Sequence, residues 1–244
     1  MRFRALTALA GAAFLGTVAP TSPASAAGSA PPASIVAALA SSAANNPTGS
    51  ATDNNWNDLD ILLAASGALP FDSLGNPNGP TLAKALTGFT GTVFAPADAA
   101  FRGLVADLTN TPIWKLSEAD VLSTLLAVAG TTYQVTGFGP VSGAVLLSET
   151  VKYHVTAAQI RNLRAPGNPR VLTLTQLPAL GLGDGEFDIK APVFSLVGLK
   201  DDDGSDADPF WFGRTVRTAD GGTIHVIAGV LRPVDLAAVQ GLLD

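Results

Sequence analysis

The sequence predicts an α+β domain, with N-terminal helices packed against a mostly antiparallel β core. Three observations predict it. Between Asp58 and Tyr153 apolar residues recur mainly at helical spacing, whereas from Val171 onward the pattern shortens to alternation. Helices gathered early and strands gathered late do not suit helices alternating around a parallel sheet. The 244 residues include no cysteine, so the fold has to rest on packing rather than on disulfides.

The helical half reads in order. Ser34–Ala43 has the pattern of a short helix inside a small, polar stretch, 27–57, that is otherwise expected to be a flexible N-terminal arm. Leu59, Leu62 and Leu63 share a helical face, with Asn57 or Asp58 as cap and Gly67 as the stop. Pro80–Leu86 reads as a second helix closed by Gly88. Thr92–Pro96 has the β-branched and aromatic content of a buried strand, after which Asp98 is expected to cap a helix carrying Phe101, Leu104, Val105 and Leu108. Ser117-Glu118-Ala119-Asp120 resembles a capping box with Asp in the Glu position, opening a helix that runs to Gly130. Residues 131–143 read as an inserted Gly-rich loop, and Leu146–Tyr153 as a further helix.

Strands are then expected at Val171–Thr175, Glu186–Lys190, Val193–Leu199, Arg214–Thr218, Thr223–Ala228 and Val230–Arg232. A second insert, 199–213, separates two of them.

At the front of the chain stand Arg2 and Arg4, an uncharged run from Ala5 to Val18, Pro20 and Pro23, and then Ala24-Ser25-Ala26. That order is expected of a cleavable secretory signal peptide over residues 1–26, with small residues where the peptidase must fit. The apolar run is shorter than the roughly 20 residues of a membrane span, so no membrane span is expected and the product is placed as secreted and extracellular. Without Arg2 and Arg4 the net charge goes from −6 to −8, and the remaining basic residues are scattered. Nucleic acid is therefore not an expected partner.

Catalytic constellations are sparse. The two histidines, His154 and His225, are too few for a metal site, and neither G-x-S-x-G nor H-E-x-x-H occurs. Gly137–Gly143 resembles a nucleophile elbow only superficially, its serine being displaced by one. Asp201–Asp208 places five carboxylates in eight residues, but the spacing is not that of an EF-hand, which leaves a solvated acidic loop as the plainer reading and calcium as the open alternative. Phe210-Trp211-Phe212 follows, either folded onto the core or exposed as a sticky patch. No enzyme activity, resident metal or cofactor is expected.

Three segments occur in order: Thr92–Phe101 (TVFAPADAAF), Val151–Val155 (VKYHV) and Gly222–Pro233 (GTIHVIAGVLRP). Together they resemble the fasciclin domain, over about Asp58 to Leu236, in the manner of secreted bacterial-type members. The domain boundaries are then 1–26 for the signal, 27–57 for the arm and 58–244 for a fasciclin-like domain.

The resemblance implies that Thr92, Phe94, Pro96, Asp98, His225 and Pro233 are framework residues. It implies that Tyr153 and His154 are interaction residues, to which Phe210, Trp211 and Phe212 are added as candidate partner-binding residues. Ala228 stands where the family usually has Asp, and Val216-Arg217 where some animal members have Asp-Ile, so an integrin-type mode is not implied. The expected function is a non-enzymatic adhesion or binding module for an extracellular protein or polysaccharide. The alternative is a carrier of an apolar small molecule such as a carotenoid.

Overall fold

The computed structural model describes residues 30–43, 52–69, 80–164, 169–180, 183–190, 196–201, 208–234 and 239–240. The signal-peptide segment 1–26 lies outside them, as do 202–207 of the acidic stretch. Six helices are described: α1 (Ile35–Ala43), α2 (Asp60–Ala68), α3 (Leu82–Ala85), α4 (Asp98–Thr109), α5 (Glu118–Ala129) and α6 (Gly143–Tyr153). The strands are β1 (Thr92–Pro96), β2 (Thr132–Val135), β3 (Gly139–Ser142), β4 (Val155–Thr156), β5 (Arg170–Leu172), β6 (Glu186–Ile189), β7 (Val197–Lys200), β8 (Phe210–Arg217), β9 (Thr223–Ile227) and β10 (Val239–Gln240). No described helix is long and apolar enough to cross a membrane.

The expected α+β class holds. Seven strands form one sheet in the order β4-β1-β9-β8-β7-β6-β5, and β10-β2-β3 form a second. Pairing is antiparallel except between β1 and β9, where Thr92 to Pro96 run parallel to Thr223 to Ile227. These two strands, β1 and β9, are buried along their whole length, Thr223–Ile227 despite the alternating pattern expected of it. Helices α1, α2, α4, α5 and α6 contribute to one large apolar cluster, while Phe94, Tyr153, Phe187, Ile189, Trp211 and Ile227 belong to a second.

Several expectations are corrected by packing that local sequence does not carry. Helix α1 is not part of a loose arm, because Ile35 and Leu39 are fully buried in the large cluster. Residues 131–143 are not a loop; they form the β2–β3 hairpin, whose turn uses Gly137 and Gly139 at φ 82° and 109°. Phe210 to Gly213 belong to β8 rather than to an insert, with a bulge between Trp211 and Thr215 where Gly213 takes φ 115°. Val230–Arg232 is not a strand. The second helix is shorter than expected and is capped by Thr81, and α2 starts after Leu59 with no side-chain cap. The box at Ser117 is present as read, Ser117 and Asp120 each capping the other's backbone N–H.

Candidate functional site

Segments β1, β9 and the end of α6 meet toward the β4 edge of the large sheet. Thr92 is buried, and its hydroxyl donates to the Ala158 carbonyl at 2.7 Å while accepting the Ile160 N–H at 2.8 Å. Phe94 packs edge-on against Phe187 at 4.9 Å, and Pro96 ends the strand in the core. Pro233 is buried and lines a small apolar pocket of about 50 Å³ with Leu104, Leu146 and Val230.

The two histidines sit among these residues with all four ring nitrogens engaged. His154 Nδ1–H donates to the Thr150 carbonyl at 2.7 Å, and Nε2 accepts the Leu231 N–H at 2.8 Å. His225 Nε2–H donates to the Ile160 carbonyl at 2.7 Å, leaving Nδ1 to accept from the Thr215 hydroxyl at 2.9 Å. Burial drives the His154 pKa down to about 4, against the opposing pull of the Thr150 carbonyl, and lowers that of His225 as well. Both rings are therefore neutral at pH 7. They are framework groups with no lone pair left for a metal or a substrate.

The expected interaction residues Tyr153 and His154 are not on the surface. Tyr153 is 0% exposed, its hydroxyl donating to the Glu186 carbonyl, and His154 is 2% exposed. Their apolar neighbours close over them, so neither can contact a partner. Trp211 is buried too, its Nε1–H donating to the Arg214 carbonyl at 2.9 Å, whereas Phe210 keeps 40% of its surface exposed. The side chain of Phe212 lies outside the described residues. Among the described large apolar residues the most exposed was missed by sequence reasoning: Trp114, 75% exposed beside the exposed Ile113 in the short turn between α4 and α5. An aromatic between two helix signals was the available clue.

Ser142 does stand at a strand-to-helix junction, contrary to the sequence reading. Its hydroxyl caps α6 by accepting the Val145 N–H at 3.3 Å, and the fully engaged histidines leave it no base. Asp201, from the acidic stretch, is buried and accepts the Arg232 N–H at 2.7 Å.

A denser acidic group lies elsewhere. Asp60, Asp98 and Glu118 are each the first residue of a helix, α2, α4 and α5 respectively, and all three are buried, with Asp58 buried beside them. Asp98 is not the cap it was read as; that position belongs to Ala97, and the Asp98 Oδ1 accepts the Ile61 N–H at 3.2 Å from the neighbouring helix. The loop before α2 is stitched to α4 by Asp98 N–H to the Asp58 carbonyl at 3.2 Å and by Ala99 N–H to the Trp56 carbonyl at 3.0 Å. Asn54, at φ 64°, donates its N–H to Glu118 Oε2 and so ties the loop to α5.

One oxygen each from Asp53, Asp60 and Glu118 lie within 4.8 Å of one another, as do oxygens of Asp58, Asp60 and Asp98. Burial holds the Asp98 carboxyl up at about 10, reinforced by Asp58 and Asp60; burial also raises Asp60 and Glu118. In the sequence, Asp53-Asn54-Asn55-Trp56-Asn57-Asp58-Leu59-Asp60 was as dense in oxygen ligands as 201–208. The contributions from α4 and α5 come from distant segments. No protein-family model matches the sequence, and no curated protein matches it.

Proposed function

We propose that the protein is an exported, non-enzymatic binding module of the fasciclin type that engages an extracellular protein or polysaccharide. The observation that carries the reading is the meeting of its three motif segments: β1 pairs with β9, β4 follows the Tyr153-His154 pair and flanks β1, and His154 accepts the Leu231 N–H from the third segment. Residues far apart in sequence and alike only in belonging to these motifs thus share one hydrogen-bonded nucleus. A scaffold role for the motifs moves recognition to the surface, where Trp114 with Ile113 offers a large, stiff aromatic of the kind that anchors interfaces. Neither histidine is free to act as a base, which supports a binding role over catalysis.

The test is retention of fluorescently labelled protein on washed bacterial cells and on immobilised polysaccharides. Trp114→Ala is expected to lower retention about tenfold or more while leaving the unfolding free energy within about 0.5 kcal/mol of wild type. Undiminished retention of that variant removes Trp114 from the contact surface.

The alternative, a carrier of an apolar small molecule, draws on a more open recess of about 380 Å³ alongside Ile160, Val171 and Leu174, since the apolar pocket of about 50 Å³ is too small. Failure of the purified protein to take up a carotenoid or a fluorescent lipid analogue counts against that reading.

A further inference from the structure

We infer that the carboxylates of Asp58, Asp60, Asp98 and Glu118, with Asp53 at their edge, form a binding site for a hard divalent cation, and that calcium is the ion that fits it. The first ground is unmet hydrogen bonding. Asp58, Asp60, Asp98 and Glu118 are 4%, 2%, 0% and 0% exposed, yet Asp58 Oδ1, both Asp60 oxygens, Asp98 Oδ2 and Glu118 Oε1 lack a well-aligned donor; Asp98 meets Asp58 and Asp60 carboxyl to carboxyl, a contact that needs a shared proton or a cation between them. All five are carboxylate oxygens gathered at one place in the fold. Buried carboxylates are paired, protonated or metal-bound, because an isolated one is very costly to desolvate.

No side chain supplies the missing positive charge. Among the described residues none of the ion pairs involves these acids. Arg214, which reaches the same loop, donates instead to the Asn57 carbonyl at 2.7 Å and the Ser42 hydroxyl at 3.2 Å, and Arg102 lies over the Trp56 ring at 4.1 Å. The three helix N-termini explain why an acid opens each helix. They do not explain the free oxygens, since the N–H groups of Ile61, Asp98, Ala99 and Asp120 are already taken by other acceptors.

The donor set selects the ion. It is all oxygen, without histidine or cysteine, which disfavours zinc and copper. Two ligands about 2.4 Å from one calcium can be at most about 4.8 Å apart, and each triad meets that bound with Asp60 common to both. Magnesium gives up its water reluctantly, so it suits so dry a cluster less well. A bound ion would fasten the 53–60 loop, and α2 behind it, to α4 and α5.

The competing occupant is a proton held among the same carboxyls. The full chain is stripped with EDTA and then given calcium chloride at about 1 mM. Unfolding is followed by heat, ion uptake by titration calorimetry, and site occupancy by terbium emission excited through Trp56, four residues before Asp60.

A saturable uptake, a raised midpoint and terbium emission that calcium displaces are expected. Asp60→Asn and Glu118→Gln should each weaken uptake by more than the roughly tenfold to hundredfold that loss of an outer-sphere partner costs. Glu118→Gln keeps an acceptor for the Asn54 N–H, so its folding is preserved. In EDTA the Asp60→Asn midpoint should equal or exceed that of wild type, which separates a ligand from a merely structural acid. Stripped wild type that shows neither uptake nor a midpoint change overturns the inference in favour of the proton. Magnesium acting as well as calcium overturns the choice of ion. Undiminished uptake by Asp60→Asn overturns the location.

Discussion

Two buried polar regions of this domain are built by opposite rules. Around α6, Glu149 and Lys152 are almost wholly buried and paired with each other. The other Glu149 oxygen accepts from the Thr175 hydroxyl at 2.9 Å and the Gln176 N–H at 2.6 Å, and both histidines have every nitrogen engaged. Around the starts of α2, α4 and α5, acids buried as deeply leave five oxygens without a well-aligned donor. Depth of burial is the same; satisfaction is not. A region that is internally complete acts as framework, and one that is incomplete requires something from outside the chain.

The largest effect expected from breaking this contrast is at the complete region. Lys152→Met leaves Glu149 charged and without its counter-charge in the core, which should cost about 3–5 kcal/mol in urea unfolding. Adding Glu149→Gln should restore more than half of the loss, because a neutral amide oxygen still accepts the Gln176 N–H and no charge is stranded. A double variant no more stable than Lys152→Met would mean that the pair is not the unit supposed here. At the acidic cluster, Asp60→Asn in EDTA is expected to have the opposite sign, since it removes an uncompensated charge.

Next in size is the response to acid. His154 stays neutral in the folded chain down to about pH 4, while in the unfolded chain it takes up a proton near 6.5. Between those values the unfolded state binds more protons, so stability falls as pH falls: the contribution is complete above pH 6.5 and is lost through pH 4. The size is about 3 kcal/mol. The buried carboxyls with raised pKa act in the reverse sense, so the measurement is a difference between wild type and His154→Gln. That difference should narrow by about 3 kcal/mol between pH 7 and pH 4. A gap that stays constant with pH would show the ring to be protonatable in place.

Much of the scaffold was legible because its signals are local. The Ser117 box, the Thr92–Pro96 strand and the Thr223–Ile227 strand are each specified within a few residues. What was missed depends on distant packing. Helix α1 is too short to declare itself until Ile35 and Leu39 find the core, and Asp98 resembles any helix-capping acid until α2 brings Ile61 to it. The β2–β3 hairpin was readable in principle, since Tyr133, Val135 and Val141 point inward in alternation, but its glycines outweighed that pattern. Tyr153 and His154 were found as special residues and expected at a surface, where the structure buries both, for a motif reveals that a residue matters without revealing which way it faces.

The smallest effect tests that role. Tyr153→Phe removes only the hydroxyl that donates to the Glu186 carbonyl, and leaves the ring against Phe187 at 6.0 Å. One buried acceptor loses its partner, so a loss of about 1–2 kcal/mol is expected, with the ring's packing retained. Because the side chain has no exposed surface, retention on cells or polysaccharide should be unchanged once the protein is folded. The same substitution in a contact residue would lower retention and spare stability. The ratio of the two effects therefore assigns Tyr153 to the scaffold or to the surface, and a variant as stable as wild type that no longer binds would return it to the surface.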